Sequence, residues 1–265
     1  MTRARTLIIL APAAMLALAA SGCGTPHPAA VEAQPKPAAW TAPDPASIPA
    51  GPVGDSIRLG ASIFEETPKY AAAYVGNRMN CNDCHIAGGT AAWSAPMVGL
   101  PGLFPMYNDR SKRVISLEDR IQDCFLRSEN GHRLSWNGPE MIALVAYIQW
   151  LSQKQPAGVA FKGRGLEKLP DLHADAGSGA GVYSKQCAGC HGADGAGKPP
   201  ILPALWGPDA FNQGAGMNQV KKMAAFVHHN MPQNHPGTLT PQEAYDVAAY
   251  VAGKPHSPFV EPETK

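Results

Sequence analysis

The chain's 265 residues suffice for about two ordinary domains. Lys+Arg 22 against Asp+Glu 21 leave a net charge of +1, which removes the case for a general nucleic-acid or acidic-lipid binder. Gly 27 and Pro 26, with little strand-like alternation, favour short helices joined by long loops.

Residues 1–22 read as a signal peptide. Arg3 and Arg5 form its basic end, and Leu7 to Ala20 is apolar but too short and Ala-rich for a membrane span. The run Ala20-Ser21-Gly22-Cys23 resembles a bacterial lipoprotein processing site, so Cys23 is expected to carry a lipid anchor and the protein to be periplasmic and membrane-tethered. Residues 23–52 are rich in Pro and Ala and read as an extended tether, on which Trp40 and Ile48 either dock locally or do little. Order is expected from about Asp55, where Ile57, Leu59, Ile63 and Phe64 suggest a helix.

That helix leads to Cys81-Asn82-Asp83-Cys84-His85, and a second copy stands at Cys187-Ala188-Gly189-Cys190-His191. A C-x-x-C-H run reads as covalent c-type haem attachment: two thiols add to the haem and the next histidine ligates the iron. Zinc and thioredoxin-like sites share C-x-x-C, but not the histidine, twice, in an exported chain. Two covalent haems are therefore expected, on Cys81, Cys84, Cys187 and Cys190, with His85 and His191 as proximal iron ligands. Haem attachment of this kind takes place outside the bacterial cytoplasm, in agreement with the leader.

Pro139 to Gln153 reads as a helix, with Pro139 in the first turn and Met141, Leu144, Val145, Ile148 and Leu151 on one face. Gln155 to Ala176 reads as a connection. The last helix starts at Thr240, with Glu243 completing a capping box, and ends at Gly253 and Pro255. Gly60/Phe64 and Gly179/Tyr183 sit alike before each haem motif. Each half thus reads as helix, haem motif, long loop, terminal helix. The expected fold is mainly α, two tandem class I cytochrome c domains. The first spans 53–155 and is elaborated by an insertion (Glu65 to Asn80) and long loops; a linker covers 156–174, and the second domain 175–265.

The sixth iron position sets the chemistry. In the second domain the candidates are Met217, Met223, Met231, His228, His229 and His235. Met231, before Pro232 in a loop ahead of the last helix, is the expected ligand. In the first domain Met97, Met106 and Cys124 compete. Of Cys 6, four lie in the haem motifs and Cys23 in the leader, so Cys124 has no disulfide partner. It is either a small buried apolar residue or a thiolate ligand. Arg110, Arg113, Arg120 and Arg127 would stabilise a thiolate and attract an anion. Alternatively they pair with Glu118, Asp119, Asp123 and Glu129 on a solvated helix face, the reading preferred for Arg113.

Tyr74-Val75-Gly76-Asn77 and the run Leu117 to Gly131 resemble the dihaem cytochrome c thiosulfate dehydrogenase family, and the resemblance extends from about Asp55 to Pro258. It implies that the first haem, ligated by His85 and Cys124, is catalytic, and that the second, ligated by His191 and Met231, passes electrons on. The family's substrate-binding arginines and serine correspond to Arg110, Arg120 and Ser128. Where some members carry a Lys beside the distal Met, this chain has Asn230. The implied reaction joins two thiosulfate ions into tetrathionate and delivers electrons to an external cytochrome or similar redox protein. The competing readings are a plain dihaem electron carrier, the same site run backwards as a tetrathionate reductase, and the catalytic subunit of the sulfur-carrier-loading cytochromes, which also use a cysteine-ligated haem.

Overall fold

The computed structural model describes residues 40–156 and 159–262. The expected signal peptide, Cys23 and most of the tether lie outside the described residues. The elements are α1 (Pro52–Glu65), α2 (Thr67–Tyr70), α3 (Cys81–Cys84), α4 (Ile86–Gly89), β1 (Met106–Asn108), β2 (Arg113–Ile115), α5 (Leu117–Arg127) and α6 (Pro139–Ser152) in the first half. The second half has α7 (Ala176–Gln186), α8 (Ala188–His191), α9 (Val220–Asn230) and α10 (Pro241–Ala252).

Both halves are built on one crossing of terminal helices. Helix α1 starts with Pro52 in its first turn and buries Ile57, Gly60, Ile63 and Phe64 on one face. It packs on α6, which buries Met141, Leu144, Ile148 and Leu151. Gly60 lies at the closest approach: a Cβ there would stand 2.1 Å from Ala143 O. In the second half α7 crosses α10 in the same way, and a Cβ on Gly179 would stand 2.0 Å from Asp246 O. The aromatic four residues on repeats too. Phe64 packs on Tyr147 with ring centres 5.5 Å apart, and Tyr183 on Tyr250 at 5.4 Å. Helix α10 starts with the expected capping box, Thr240 Oγ1 accepting from Glu243 N–H at 3.2 Å and Glu243 Oε2 from Thr240 N–H at 2.8 Å.

The structure refines three expectations. Order begins before Asp55: Asp44 caps a turn at Pro45–Ser47, Trp40 packs edge-on against Phe161 at 5.2 Å, and Ile48 joins the first core. The described residues of the 156–174 connection are docked on both halves. Trp93 and Ala95 N–H donate to Gly163 and Gly165 carbonyls at 2.6 and 2.8 Å, and Leu169, Leu172 and Ala174 pack against the second core. The long loops contain structure of their own. The first holds the antiparallel β1–β2 hairpin, pairing Tyr107 with Val114, and α5; the second holds α9.

The crossing predicts a contrast. Gly60→Val should destabilise the haem-loaded protein by about 1–3 kcal/mol or more, since the side chain meets an immovable backbone carbonyl. Gly181→Ala, a helical position with open space around its Cβ, should be neutral or stabilising by up to about 1 kcal/mol. Denaturant midpoints of the two variants test this, and equal midpoints would refute it.

Candidate active site

Helix α3 is a single turn, so the thiols of Cys81 and Cys84 project from one side one turn apart. Asn80 and Asp83 cap it reciprocally, with Asn80 N–H donating to Asp83 Oδ2 at 2.8 Å. His85 follows at the helix end, and its Nδ1–H donates to Ala95 O at 2.7 Å. A carbonyl can only accept, so Nδ1 holds the proton and Nε2 keeps its lone pair. Burial lowers the His85 pKa to about 4, so the ring is neutral near pH 7. The second motif repeats the device: His191 Nδ1–H donates to Pro203 O at 2.9 Å, and burial again lowers its pKa. Two thiols beside a neutral imidazole with its ligating nitrogen free match the donor set of a c-type haem.

At the first motif these groups line a cavity of about 380 Å³. Its walls include Phe64, Leu100, Phe104, Leu144 and Ile148, which suit a flat apolar macrocycle. Helix α5 brings the polar groups. Ser116 Oγ caps it by accepting from Asp119 N–H at 3.1 Å, which fixes the helix register. Arg120, Cys124 and Ser128 then recur at four-residue spacing, share one face and all line the cavity.

Arg110 does not line the cavity. It stands on the exposed hairpin connection and donates to Gly214 O of the second half at 3.1 Å. It is nonetheless a neighbour of the site: burial lowers its pKa, and the charges of Arg127 and Arg120 lower it further. Arg113 pairs with Asp119 through two bonds of 2.8 and 3.1 Å, which is the paired surface role expected for it. Arg127 is buried, with Asp123 at 2.9 Å and Glu261 as partners. Glu129 corrects the picture of a solvated face. It is 2% exposed on the cavity wall, one of its oxygens has no hydrogen-bond partner, and burial pushes its pKa well above the usual carboxylate range. Burial likewise raises the Cys124 pKa, with Arg120 the largest opposing influence. The arginines alone therefore do not make Cys124 a thiolate; a bond to a metal would.

Sequence reasoning missed Lys222. It lies early in α9, its stem beside Gly216, and burial followed by the charges of Arg110 and Arg120 lowers its pKa. Nothing in the local sequence marks it, because its neighbours come from the other half of the chain.

The distal candidates separate by their surroundings. Met97 N–H donates to Gly89 O at 2.7 Å, two residues after the Ala95 that holds His85, so its backbone runs beside the His85 segment. Met106 is 44% exposed on β1, and both it and Met97 line the same cavity as Cys124. In the second half Met223 is buried in the core and Met217 packs against it. His228 pairs with Glu167 at 2.8 Å, and His229 approaches the same carboxylate at 3.5 Å. Met231 closes α9, immediately before Pro232. Asn230 turns away from it, donating to Trp93 O at 3.1 Å and Phe226 O at 2.9 Å.

Residues 68–157 match the family described as SoxA/TsdA, cytochrome c domain, and residues 174–251 match cytochrome c oxidase, cbb3-type, subunit III. The chain is 41% identical to a thiosulfate dehydrogenase of Allochromatium vinosum over 239 residues, covering 86% of this chain and 88% of that protein. It is 37% identical to one of Thiomonas intermedia, covering 95% and 85%. Among solved structures, the thiosulfate dehydrogenase TsdBA of Marichromatium purpuratum, in its as-isolated form, superposes with a TM-score of 0.77 at 38% identity. That match covers 81% of this chain, which spans about half (49%) of the Marichromatium chain. Two cytochrome c domains are thus present, each with its own haem.

Mass spectrometry of protein made with a c-type haem maturation system should give the polypeptide plus two haems. Replacing Cys81 and Cys84 together by Ala should remove one haem only. Loss of both, or a wild-type mass with one, would contradict two independent attachment sites.

Proposed function

This chain belongs to the thiosulfate dehydrogenase family and is a cytochrome-linked oxidoreductase that oxidises thiosulfate; on that premise we propose that it joins two thiosulfate ions into tetrathionate at the first haem site and sends the electrons out through the second. The observation that carries this reading is the shared face of α5, which sets Arg120, Cys124 and Ser128 in the cavity that also holds Cys81, Cys84 and His85. In this reading His85 and Cys124 ligate the first iron, and His191 and Met231 the second. The haems supply the redox chemistry, each taking up and passing on one electron at a time.

The chain's own residues do the rest. Two thiosulfate dianions repel each other, so their meeting needs fixed positive charge. Arg120 supplies a planar pair of donors at the cavity, and Arg110 and Lys222 add charge at its rim. Ser128 offers a hydroxyl to a sulfonate oxygen. The Cys124 sulfur, which would have to leave or share the iron for this step, forms a bond to the outer sulfur of the first thiosulfate, and the two electrons released would be accepted singly by the haems. The outer sulfur of the second thiosulfate then attacks that bonded sulfur and displaces the Cys124 thiolate. The new sulfur–sulfur bond completes tetrathionate and restores Cys124.

Contact between the haem motifs supports an internal electron route. Met79, two residues before the first motif, belongs to the buried cluster against which Cys84 of the first motif, Cys187 of the second and Trp206 all pack. Asn80, which caps α3, donates to Pro200 O at 3.3 Å. We also propose a periplasmic location with a lipid anchor at Cys23, on the strength of the lipoprotein-like leader; among the described residues no helix is long and apolar enough to cross a membrane.

Cys124→Gly should keep both haems, erase the thiolate features of the first haem and lower tetrathionate formation by orders of magnitude. Arg120→Ala should be milder, costing roughly the 1.5–3 kcal/mol of a charged hydrogen bond in kcat/KM. Met231→Gly should change the second haem's spectrum and leave the first haem's intact. Near-normal turnover in the Cys124 variant would sink the mechanism.

Cys23→Ala should move the protein from the membrane fraction to the soluble periplasmic fraction, because a buried acyl chain contributes about 0.8 kcal/mol per methylene. A wild type already fully soluble would show that no anchor is attached.

A further inference from the structure

Helix α5 ends inside the protein, and its last carbonyls need partners. Cys124 O accepts from Ser128 and Glu129 N–H at 2.8 and 3.0 Å, and Phe125 O from Gly131 N–H at 2.9 Å. The next two find theirs in the second half of the chain. The Asn212 side-chain amide donates to Leu126 O at 2.9 Å and to Asn130 Oδ1 at 3.1 Å, and the Asn212 N–H donates to Arg127 O at 3.1 Å. Asn212 is 2% exposed. The Asn77 amide closes the series, donating to Ser128 O at 2.7 Å and to Ala210 O at 3.0 Å.

The Arg127 side chain is clamped from the same direction. It is 4% exposed, and a buried guanidinium has to be paired. Asp123, one turn back, takes one side at 2.9 Å. Glu261 takes another, and the Phe259 ring centre lies 5.0 Å from the guanidinium carbon. The segment carrying Phe259 and Glu261 is itself strapped to the second half. Gly207 N–H donates to Pro255 O at 2.8 Å and Gln213 N–H to Ser257 O at 3.0 Å. Phe259 lies flush on Gly214, where a Cβ would come within 2.3 Å of the ring. Asp123 and Arg127 bracket Cys124 in sequence, so a shift of either moves the turn that carries the sulfur. Asp123 also lies 3.8 Å from Arg120, so the same clamp bears on the substrate arginine.

We infer that the second domain, besides relaying electrons, positions the sulfur ligand of the first: Asn212 and the Phe259–Glu261 strap hold the end of α5 and so set the reach of Cys124. This rests on the reading of Cys124 as an iron ligand. Asn212, Arg127, Phe259 and Glu261 are positioning residues, acting through α5.

The test uses full-length, haem-loaded protein carrying Phe259→Ala with Glu261→Gln, and separately Asn212→Ala. The thiolate absorption and electron-resonance features of the first haem should weaken or become heterogeneous, and its midpoint potential should rise as thiolate donation is lost. The second haem's spectrum and potential should stay as in wild type. Thiosulfate turnover should fall about tenfold, the usual scale for groups that orient a metal ligand. Glu261→Asp should restore the wild-type spectrum. If the double variant loses haem, Asn212→Ser gives the same spectral readout. A lowered melting temperature with an unchanged first-haem spectrum and potential would overturn the inference, because a merely structural strap behaves that way. Cys124→Gly runs alongside: a wild-type first-haem spectrum there would overturn the ligand reading and this inference together. A changed spectrum there beside unchanged clamp variants would overturn this inference alone.

Discussion

A covalently attached haem needs an imidazole whose lone pair is already free and aimed, and each half of this protein meets the need with one backbone carbonyl. Ala95 O holds His85 and Pro203 O holds His191. Those carbonyls sit on loops that return past the motif, so the loops cannot drift without turning the ring. The returning loop of the first half is pinned in turn by Gly163 and Gly165, which take the Trp93 and Ala95 N–H groups. The helix crossings at Gly60 and Gly179 then close each unit behind its motif, and no side chain fits between the backbones there.

On this repeated frame the first half carries a hairpin, β1–β2, that has no counterpart among the described residues of the second. The α5 helix that follows it places a sulfur, a hydroxyl and a guanidinium at a largely apolar cavity. Positive charge gathers there. Asp123 and Glu261 pair with Arg127, and their charges also act on Arg110, while the charges of Arg110 and Arg120 act on Lys222. Lys222 comes from the second half and Arg110 donates to the second half's Gly214 O, so both halves contribute to this cluster. In the proposed reaction it would receive a thiosulfate dianion.

The two halves are therefore not independent modules on a string. The stretch between them docks on both, Met79 and Cys84 enter the second core, and Asn212 completes the hydrogen bonds of α5. An electron route benefits from such rigidity, because transfer between fixed sites needs no reorganisation of the backbone between them. The same contacts make the position of the end of α5 in the first half depend on the second.

Covalent and local requirements were legible in the sequence. Cys81 to His85 and Cys187 to His191 declare two haems because attachment needs three residues at fixed spacing in one turn. The terminal helices are legible from the 3.6-residue period and from caps such as Thr240–Glu243, which are local interactions. Cys124 stood out by elimination and by its resemblance to a family motif, and Arg120 and Ser128 by that resemblance alone; their shared helix face came from the structure. What the tertiary structure decided is which partners those side chains meet. Arg113 and Arg127 are both arginines near the same helix, yet one is a surface ion pair and the other is buried against Phe259 and Glu261. Glu129 looked solvated and is buried; Lys222, unmarked in the sequence, meets the charges of Arg110 and Arg120 from the other half. Burial and long-range electrostatics depend on segments more than a hundred residues apart in the chain, and no local pattern encodes which of them come together.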